Sequence, residues 1–389
     1  MNLSLRREPQ ESGLARGLCR LAVASLAASA LWMSGCSLFS DKPKPTALEN
    51  FKPTASAKSH WNASGSKLEF AAQLTVQAGQ VAAAMGDGTV QVRRISDGTL
   101  VWQASAGSRL SAGVGFDGER AAVVTQGNEL VLMQSGKVVW RKRLGSGVST
   151  APLVAGERVF VLGLDRAIDA YDALDGRYLW RLQRSGDPLT LRMPGVLLAY
   201  QDTLLVGQGS RLAGVDPLRG SVRWEIPLST PRGANEVERL ADLVGPALRL
   251  GDALCARAFQ SAVACVDLSS QALRWSRNIG GIHSIGGNGE VLVGGDASDR
   301  MNAWRTDTGE LLWSHERLLH RGLSGVVAWG SWVAAGDYKG YVHVLDAKTG
   351  DTVMRLETDG SEILTTPRVA GDVLLVATQK GGLFAFRPN

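Results

Sequence analysis

The side chains that usually carry out catalysis or bind metals are few and scattered in this 389-residue chain. Two glycine-rich stretches, GDGT at 86–89 and GGDASD at 294–299, lie between strand-like runs instead of preceding a helix, so they do not indicate phosphate binding. The five histidines show neither the spacing of metal ligands nor an H-E-x-x-H pair: His60, His283, His315, His320 and His343. The sequence therefore predicts no catalytic residue, no metal site and no cofactor.

Two of the four cysteines lie in the body of the chain and could form a disulfide bond. Cys255 and Cys265 bracket the stretch ARAFQSAVA, which we interpret as parts of two neighbouring strands. In an oxidising compartment a cross-strand disulfide can form between them. The alternative is a pair of small buried residues, and the sequence leaves both possibilities open.

The N-terminal segment has the pattern of an export signal. Residues 1–35 combine a basic start with the apolar run LAVASLAASALWM at 21–33, which is shorter than the roughly twenty residues of a membrane-spanning helix. The next stretch, MSGC, resembles a bacterial lipobox, and this resemblance implies that Cys36 is lipidated and becomes the mature N-terminus. Residues 36–53 are then predicted to be a flexible tether at the outer membrane. A soluble exported protein is the alternative.

A repeat of about forty residues runs through the rest of the chain. One large residue marks each unit, and successive markers are 41, 38, 40, 44, 51, 38 and 41 residues apart. The markers are Trp61, Trp102, Trp140, Trp180, Trp224, Trp275, Trp313 and Met354. In six units a glycine precedes the marker by four residues, whereas Gln271 takes that place before Trp275. We infer that each marker packs between neighbouring units.

Each unit is predicted to hold four short strands. Runs such as VHVLDA at 342–347 alternate with the period of a strand, and the glycine of the following turn can adopt a positive φ. Four strands per unit and eight units predict an all-β fold, an eight-bladed β-propeller of antiparallel blades, over residues 54–389. The strand near 58–63 is predicted to complete the last blade and close the ring.

Net charge gives little indication of a partner. The formal charge is +5, of which residues 1–35 contribute four arginines and two glutamates, so about +3 is left for the remainder. No basic stripe with interleaved aromatic side chains stands out, and the sequence predicts no nucleic-acid partner.

The repeat resembles that of the quinoprotein dehydrogenases, in which the phrase A-x-D-x-x-T-G-x-x-x-W marks each blade. That resemblance implies the alternative function, a periplasmic dehydrogenase that uses pyrroloquinoline quinone and calcium. This chain lacks the adjacent cysteine pair often found in those enzymes and is shorter than they are. Its aspartates lie mostly in the repeated turns, where a structural role suffices.

Two connections are longer than the others, RSGDPLTLRMPG at 184–195 and LSTPRGANEVERLADLVGP at 228–246. They belong to successive units, so we expect them to be neighbours on one surface of the ring. Insertions on one face of a repeat protein commonly form its binding surface.

Together, the lipobox, the eight units and the segments PLTLR and ERLADLV resemble the BamB family of outer-membrane assembly lipoproteins. The resemblance implies a non-enzymatic scaffold at the periplasmic face of the outer membrane. Its partners would be the periplasmic domains of a BamA-type β-barrel insertase and other assembly lipoproteins. The family's contact residues correspond here to Leu189, Leu191, Arg192, Arg239 and Asp242, whereas Val244 replaces an aspartate of the family pattern.

Overall fold

The computed structural model describes residues 43–70, 73–184 and 189–389, so the predicted signal peptide and Cys36 lie outside these ranges. The described chain forms thirty-two β-strands in eight four-stranded antiparallel sheets. The eight-bladed propeller predicted from the repeat is therefore confirmed. Within the described ranges, no helix is long and apolar enough to cross a membrane.

The strands of each blade follow one another from the centre of the ring outwards, and the first strands of neighbouring blades are in contact around the axis. Blade 1 consists of β2 (Thr75–Gln77), β3 (Gln80–Ala84), β4 (Thr89–Arg94) and β5 (Leu100–Ser105), and blade 2 of β6 (Gly115–Phe116), β7 (Arg120–Val124), β8 (Glu129–Gln134) and β9 (Lys137–Arg143). Blade 3 consists of β10 (Leu153–Ala155), β11 (Arg158–Leu162), β12 (Ile168–Asp172) and β13 (Tyr178–Leu182), and blade 4 of β14 (Leu197–Tyr200), β15 (Thr203–Gln208), β16 (Arg211–Val215) and β17 (Val222–Pro227).

Blades 5 to 8 follow in the same order, except that the last blade takes its fourth strand from the beginning of the chain. Blade 5 consists of β18 (Leu243–Leu250), β19 (Ala253–Ala258), β20 (Ala262–Asp267) and β21 (Ala272–Arg277), and blade 6 of β22 (Gly286–Gly287), β23 (Val291–Gly295), β24 (Met301–Arg305) and β25 (Leu311–His315). Blade 7 consists of β26 (Val327–Trp329), β27 (Trp332–Gly336), β28 (Tyr341–Asp346) and β29 (Thr352–Glu357), and blade 8 of β30 (Arg368–Ala370), β31 (Val373–Ala377), β32 (Gly382–Pro388) and β1 (Ala57–Ser64).

The pairing of β1 with β32 closes the ring as the sequence predicts. Its register runs from Ala57 opposite Pro388 to Ser64 opposite Gly382. The first described strand and the last strand of the chain are therefore joined within one sheet, and each of the eight described blades has four strands.

Antiparallel order gives the ring two different faces. The turns between first and second strands and between third and fourth strands lie on one face, which we call the lower face. The turns between second and third strands and the connections between blades lie on the other, the upper face.

The hydrophobic core is divided among the junctions between blades. The described residues form eight clusters of buried apolar side chains, and each cluster combines residues from two neighbouring blades. Since the apolar faces of a blade are covered only by its neighbours, a single blade cannot be stable alone. All eight marker residues lie in or against these clusters.

Most marker tryptophans also dock on the turn of the next blade. Trp180, in blade 3, donates its indole N–H to the carbonyl oxygen of Pro217 at 3.0 Å. Its ring lies over Gly220, where φ is +71° and an added Cβ would come within 2.5 Å of the ring. Glycine is therefore required twice, by the left-handed turn and by the ring above it. The same docking occurs at four other junctions, through Trp61, Trp140, Trp275 and Trp313.

Trp224 packs differently because the next turn has no glycine. That turn carries Gln271, whose φ is 55°, at the place of Gly220 in blade 4. A Cβ at this place would meet a docked ring. The ring of Trp224 instead lies against Gly214 of its own blade, where an added Cβ would be 2.2 Å away.

The segment that precedes β1 lies against the ring. The sequence predicts a flexible tether over 36–53, but the backbone N–H of Thr46 donates to Leu319 at 3.0 Å and that of Thr54 donates to Val353 at 3.1 Å. Glu49 accepts a hydrogen bond from Thr352. The tether prediction is therefore wrong for this part of the chain, because the polar groups of the segment find partners on blade 7. We call residues 46–55 the strap.

The strap also contacts a buried charged cluster in blade 7. Arg321 donates from Nη1 to the carbonyl oxygen of Thr46 at 2.9 Å and from Nη2 to Asp337 at 2.6 Å. His343 lies 3.0 Å from the same carboxylate, and the three side chains are almost completely buried. The guanidinium of Arg355 stacks 5.1 Å from the ring centre of Phe51. These contacts fix the strap along the outer side of blade 7.

Candidate partner-docking site

Both long connections lie on the upper face, on either side of blade 4. Loop A, residues 184–195, connects β13 to β14, and its residues 185–188 lie outside the described ranges. Loop B, residues 228–242, connects β17 to β18. The second predicted segment extended to 246, but its end belongs to β18.

Asp242 joins the two loops. Its Oδ2 accepts a hydrogen bond from the backbone N–H of Leu191 at 2.9 Å, and its Oδ1 lies 3.1 Å from Nη2 of Arg166. The same Nη2 donates to the carbonyl oxygen of Leu189 at 3.0 Å. The side chains of Arg166 and Asp242 are only 19% and 17% exposed, so this ion pair is shielded from solvent more than a typical surface pair. Asp242 therefore organises the site from within.

The backbones of the two connections also meet beneath this ion pair. Gly195 forms a β-bridge with Val244, and the N–H of Gly245 donates to the carbonyl oxygen of Pro194 at 2.8 Å. A Cβ on Gly245 would lie 2.0 Å from the carbonyl oxygen of Gly195, so only glycine allows this approach. The expectation that the loops are neighbours agrees with this geometry.

Loop B contains a self-supporting turn at its tip. The backbone N–H of Glu238 donates to Oδ1 of Asn235 at 3.0 Å, and the Glu238 carboxylate accepts from the N–H of Ala234 at 2.7 Å. This arrangement is similar to a capping box, except that the carboxylate accepts from the residue before Asn235. The charge of Glu238 therefore holds the turn, and Val237 at its tip is 71% exposed.

The predicted contact residues differ in their exposure. Arg192 is exposed, whereas Leu189, Leu191 and Arg239 are half-buried at the surface. Val244 is only 2% exposed, because it lies in β18 and faces the core. Position 244, where the family pattern has an aspartate, therefore belongs to the core in this chain.

A cavity of about 220 Å³ opens between the loops. Charged side chains dominate its walls, and Arg211 pairs through Nε with Oε2 of Glu225 at 3.2 Å, while Arg184 contacts the other oxygen of that carboxylate. Four arginines and three carboxylates line the cavity together with Leu189, Pro231 and Leu240: Arg166, Arg184, Arg211, Arg239, Glu225, Glu236 and Asp242. A mixed polar and apolar surface of this kind suits a protein partner.

Arg166 was missed by the sequence analysis. It lies in the turn between β11 and β12 with φ at +63°, and its backbone oxygen accepts from Gln208 at 3.2 Å. Nothing in the local sequence distinguishes it from other surface arginines. Only its approach to Asp242, 76 positions along the chain, shows its role.

The buried cluster in blade 7 contains residue types that also occur in catalytic sites. Burial by itself would raise the pKa of Asp337, but hydrogen bonds from His343 and Arg321 outweigh it and lower that pKa. Burial lowers the pKa of His343, which is therefore neutral at pH 7. Within the described ranges, no group of three or more histidine, cysteine, aspartate or glutamate side chains is placed to hold a metal ion. The cluster holds the strap and is closed to solvent.

Cys255 and Cys265 face each other across β19 and β20 and are joined by a disulfide bond, with their Cα atoms 4.0 Å apart. Both side chains are fully buried in the cluster between blades 5 and 6. The bond therefore lies inside blade 5, away from the loops.

Comparison with known sequences gives one consistent result. The family described as outer membrane protein assembly factor BamB matches residues 86–315 and 305–388. A protein of that name from Bordetella pertussis is 34% identical over 368 residues, which cover 92% of this chain and 95% of the relative. One from Burkholderia pseudomallei is 34% identical over 370 residues, covering 93% and 97%.

Comparison with solved structures shows the same fold. The crystal structure of BamB from Moraxella catarrhalis superimposes with a TM-score of 0.77 at 23% identity, covering 85% of this chain and all of the other. The quinohemoprotein alcohol dehydrogenase of Comamonas testosteroni superimposes with a TM-score of 0.63 at 14% identity, covering 85% and 76%. The dehydrogenase shares the propeller architecture with this chain.

Proposed function

Because the chain belongs to the family of the outer membrane protein assembly factor BamB, we propose that it is a lipid-anchored, non-catalytic scaffold that assists the insertion of β-barrel proteins into the outer membrane. The observation that carries the docking part of this proposal is the meeting of loops A and B on the upper face, where Asp242 holds both. Because one carboxylate holds the described part of loop A against loop B, this part of the site is ordered before a partner binds.

The proposed partner is a periplasmic domain of a BamA-type insertase, in a complex with other assembly lipoproteins. Leu189 and Leu191 supply apolar area, and Arg192 supplies an exposed cation beside them. Arg239 borders the cavity from loop B. Asp242 contributes indirectly, by fixing the backbone of Leu191.

The proposed anchor is a lipid on Cys36, which would place the protein on the periplasmic face of the outer membrane. The sequence around MSGC supports this part of the proposal. Mass spectrometry of the mature N-terminal peptide tests it, since a diacylglyceryl-modified cysteine is expected. A mature chain that begins elsewhere with an unmodified residue would exclude the anchor.

The docking proposal is tested by co-purification from detergent-solubilised envelopes. We expect the wild type to recover a barrel insertase and the Leu191→Asp/Arg192→Glu variant to lose it. The matched control is Leu218→Asp/Arg219→Glu, which makes the same two changes at an exposed Leu-Arg pair on the lower face, in the turn of blade 4. A wild-type protein recovered without an insertase, or equal loss in both variants, would contradict the proposal.

A further inference from the structure

The outer strands of the blades differ in whether their outer edge is covered. In blade 7 the strap lies along β29, and Val353, the residue before the marker, is only 5% exposed. The corresponding residues of blades 1, 2 and 6 are Val101, Val139 and Leu312, which are 46%, 45% and 43% exposed. Blade 7 thus shows that an extended segment can cover such an edge in this protein.

The edge of blade 2 is chemically distinct. Its outer strand β9 has the sequence KVVWRKR, with four cations and no acidic residue. Arg141 pairs with Glu129 at 2.8 Å, but Lys137, Lys142 and Arg143 form no ion pair with any described residue. Several arginines of other outer strands pair within their blades, such as Arg181 with Asp169 at 3.0 Å and Arg274 with Asp267, whereas Arg277 of β21 donates to backbone oxygens instead.

The excess positive charge of the protein is concentrated in this blade. Residues 107–145 contain six lysines and arginines and three acidic residues, a net charge of +3. The chain after residue 35 carries 38 cations and 35 acidic residues, which is also +3. The rest of that chain is therefore neutral in sum, and the charge of β9 is local.

We propose that the outer edge of blade 2 binds an extended acidic segment of another protein, which adds to β9 as a fifth strand. Strand β9 pairs only with β8, so its outer row of backbone groups is available. Exposed Val138 and Val139 would contact apolar side chains of the segment. Carboxylates on both faces of the segment would pair with Lys137 and Arg143, because the bulge in β9 places these two cations on opposite faces of the blade. A bound segment of about seven extended residues, at about 3.3 Å per residue, would match the length of β9.

The chemistry of the edge favours a protein segment over a nucleic acid. Trp140, the aromatic residue of β9, is 9% exposed and docks on Ala173, so it offers no ring for base stacking. Lysines on sheet edges can also prevent strand pairing. That role predicts no binding of any extended segment, and the following experiment distinguishes the two.

The test uses the full chain in non-ionic detergent and a fluorescein-labelled nine-residue peptide in which runs of glutamate flank a central pair of valines, so that carboxylates lie on both faces of the strand. Binding is monitored by fluorescence anisotropy. The Lys137→Glu/Arg143→Glu variant removes the charge complementarity. The control variant Arg219→Glu/Lys380→Glu makes the same change in net charge at exposed residues of blades 4 and 8. A second peptide carries N-methyl groups on alternate backbone nitrogens, which prevents its addition as a strand on one edge.

We expect the acidic peptide to bind the wild type and the control variant alike, and the β9 variant about tenfold more weakly. The N-methylated peptide should bind at least about tenfold more weakly than its parent, because ladder hydrogen bonds are lost. Should the β9 variant fail to melt like the wild type, Lys137→Gln/Arg143→Gln replaces it. No binding to the wild type, equal loss in both variants, or equal binding of the N-methylated peptide would overturn the proposal. None of these results bears on docking at loops A and B, which lie on another face and other blades.

Discussion

The two junctions beside blade 4 are built differently, although both arise from the same repeat. Between blades 3 and 4, Trp180 docks on Gly220 and Pro217. Between blades 4 and 5, Trp224 turns towards its own blade because Gln271 occupies the place of the glycine. The irregular junction lies below loop B and beside the longest spacing of the repeat.

Other contacts stabilise the irregular junction. The hydroxyl of Tyr200 donates to Asp252 at 2.7 Å, and that of Ser276 donates to the carbonyl oxygen of Leu228 at 2.9 Å. A large apolar cluster fills the space between the blades. The difference teaches that the docking motif is one of several ways to join blades. The junction between blades 1 and 2 also lacks it, since an added Cβ on Gly136 would not meet the ring of Trp102.

The largest expected effect comes from removing the docked ring. Trp180→Ala should lower the free energy of unfolding by about 3–5 kcal/mol, because it deletes a buried ring and leaves a cavity. Trp224→Ala should cost clearly less, since its ring is half-buried and has no turn to dock on. Urea unfolding measures both losses of stability. It is followed by far-ultraviolet circular dichroism instead of tryptophan fluorescence, because each variant removes a tryptophan. Equal losses would show that docking adds nothing to packing.

The next effect concerns the turn glycine. Gly220→Ala should destabilise the protein by about 1–3 kcal/mol, because the new methyl group meets the ring of Trp180 at a positive φ. Gln271→Gly should instead stabilise it by about 1 kcal/mol, by relieving a left-handed non-glycine residue where no ring is docked. The same unfolding assay applies. A destabilised Gln271→Gly would mean that the glutamine side chain has a role at this junction.

A more local effect is expected at the ion pair that joins the loops. Asp242→Ala leaves Arg166 without its carboxylate and should cost about 1–3 kcal/mol. Because Asp242 also accepts from Leu191, hydrogen exchange of the Leu191 amide should accelerate while the amides of the blades remain protected. Asp216→Ala on the lower face is the control for loss of an arginine-paired aspartate. Unchanged exchange at Leu191 would contradict the assigned role.

The smallest effect extends the comparison to blade 7, whose marker is Met354 and whose outer edge is covered by the strap. Burial lowers the pKa of His343 in the folded state below its ordinary value of 6.5. A lowered pKa means that stability is fully present above pH 6.5 and is lost as the pH falls below it. The loss is at most about 1.4 kcal/mol per pH unit for one group.

His343→Gln should therefore reduce the loss of stability between pH 7 and pH 5, because glutamine can donate to Asp337 but does not titrate in this range. Urea midpoints at the two pH values measure this. His283, whose pKa burial lowers to about 4, contributes to the same loss, so the variant should retain part of it. An unchanged pH dependence would exclude His343 as a contributor.

The sequence was sufficient for features that repeat and insufficient for those that occur once. The spacing of the tryptophans and glycines determined the number of blades, and the isolated Trp61 indicated how the ring closes. Gln271 stood out in the sequence, but its effect on Trp224 required the ring geometry. The buried position of Val244 could not be inferred, since its strand begins within the segment that we assigned to a loop.

The docking surface was predicted in outline for the same reason. The two long connections were visible as excess length, and their meeting followed from the order of the blades. The role of Asp242 depends on Arg166, which comes from a different turn and carries no local signal. Contacts between residues distant in the chain, without a repeated pattern, are the part that required coordinates.

The strap determines how the ring would respond to mechanical load. A pull on the chain ahead of Pro45 reaches Thr46, Glu49 and Phe51 on blade 7 before it reaches β1. Because these contacts precede β1 along the chain, they would have to break before the tension reaches β1. Without them the pull would act directly on the end of β1 and separate its hydrogen bonds with β32 one after another. The strap therefore diverts tension away from the pairing that closes the ring.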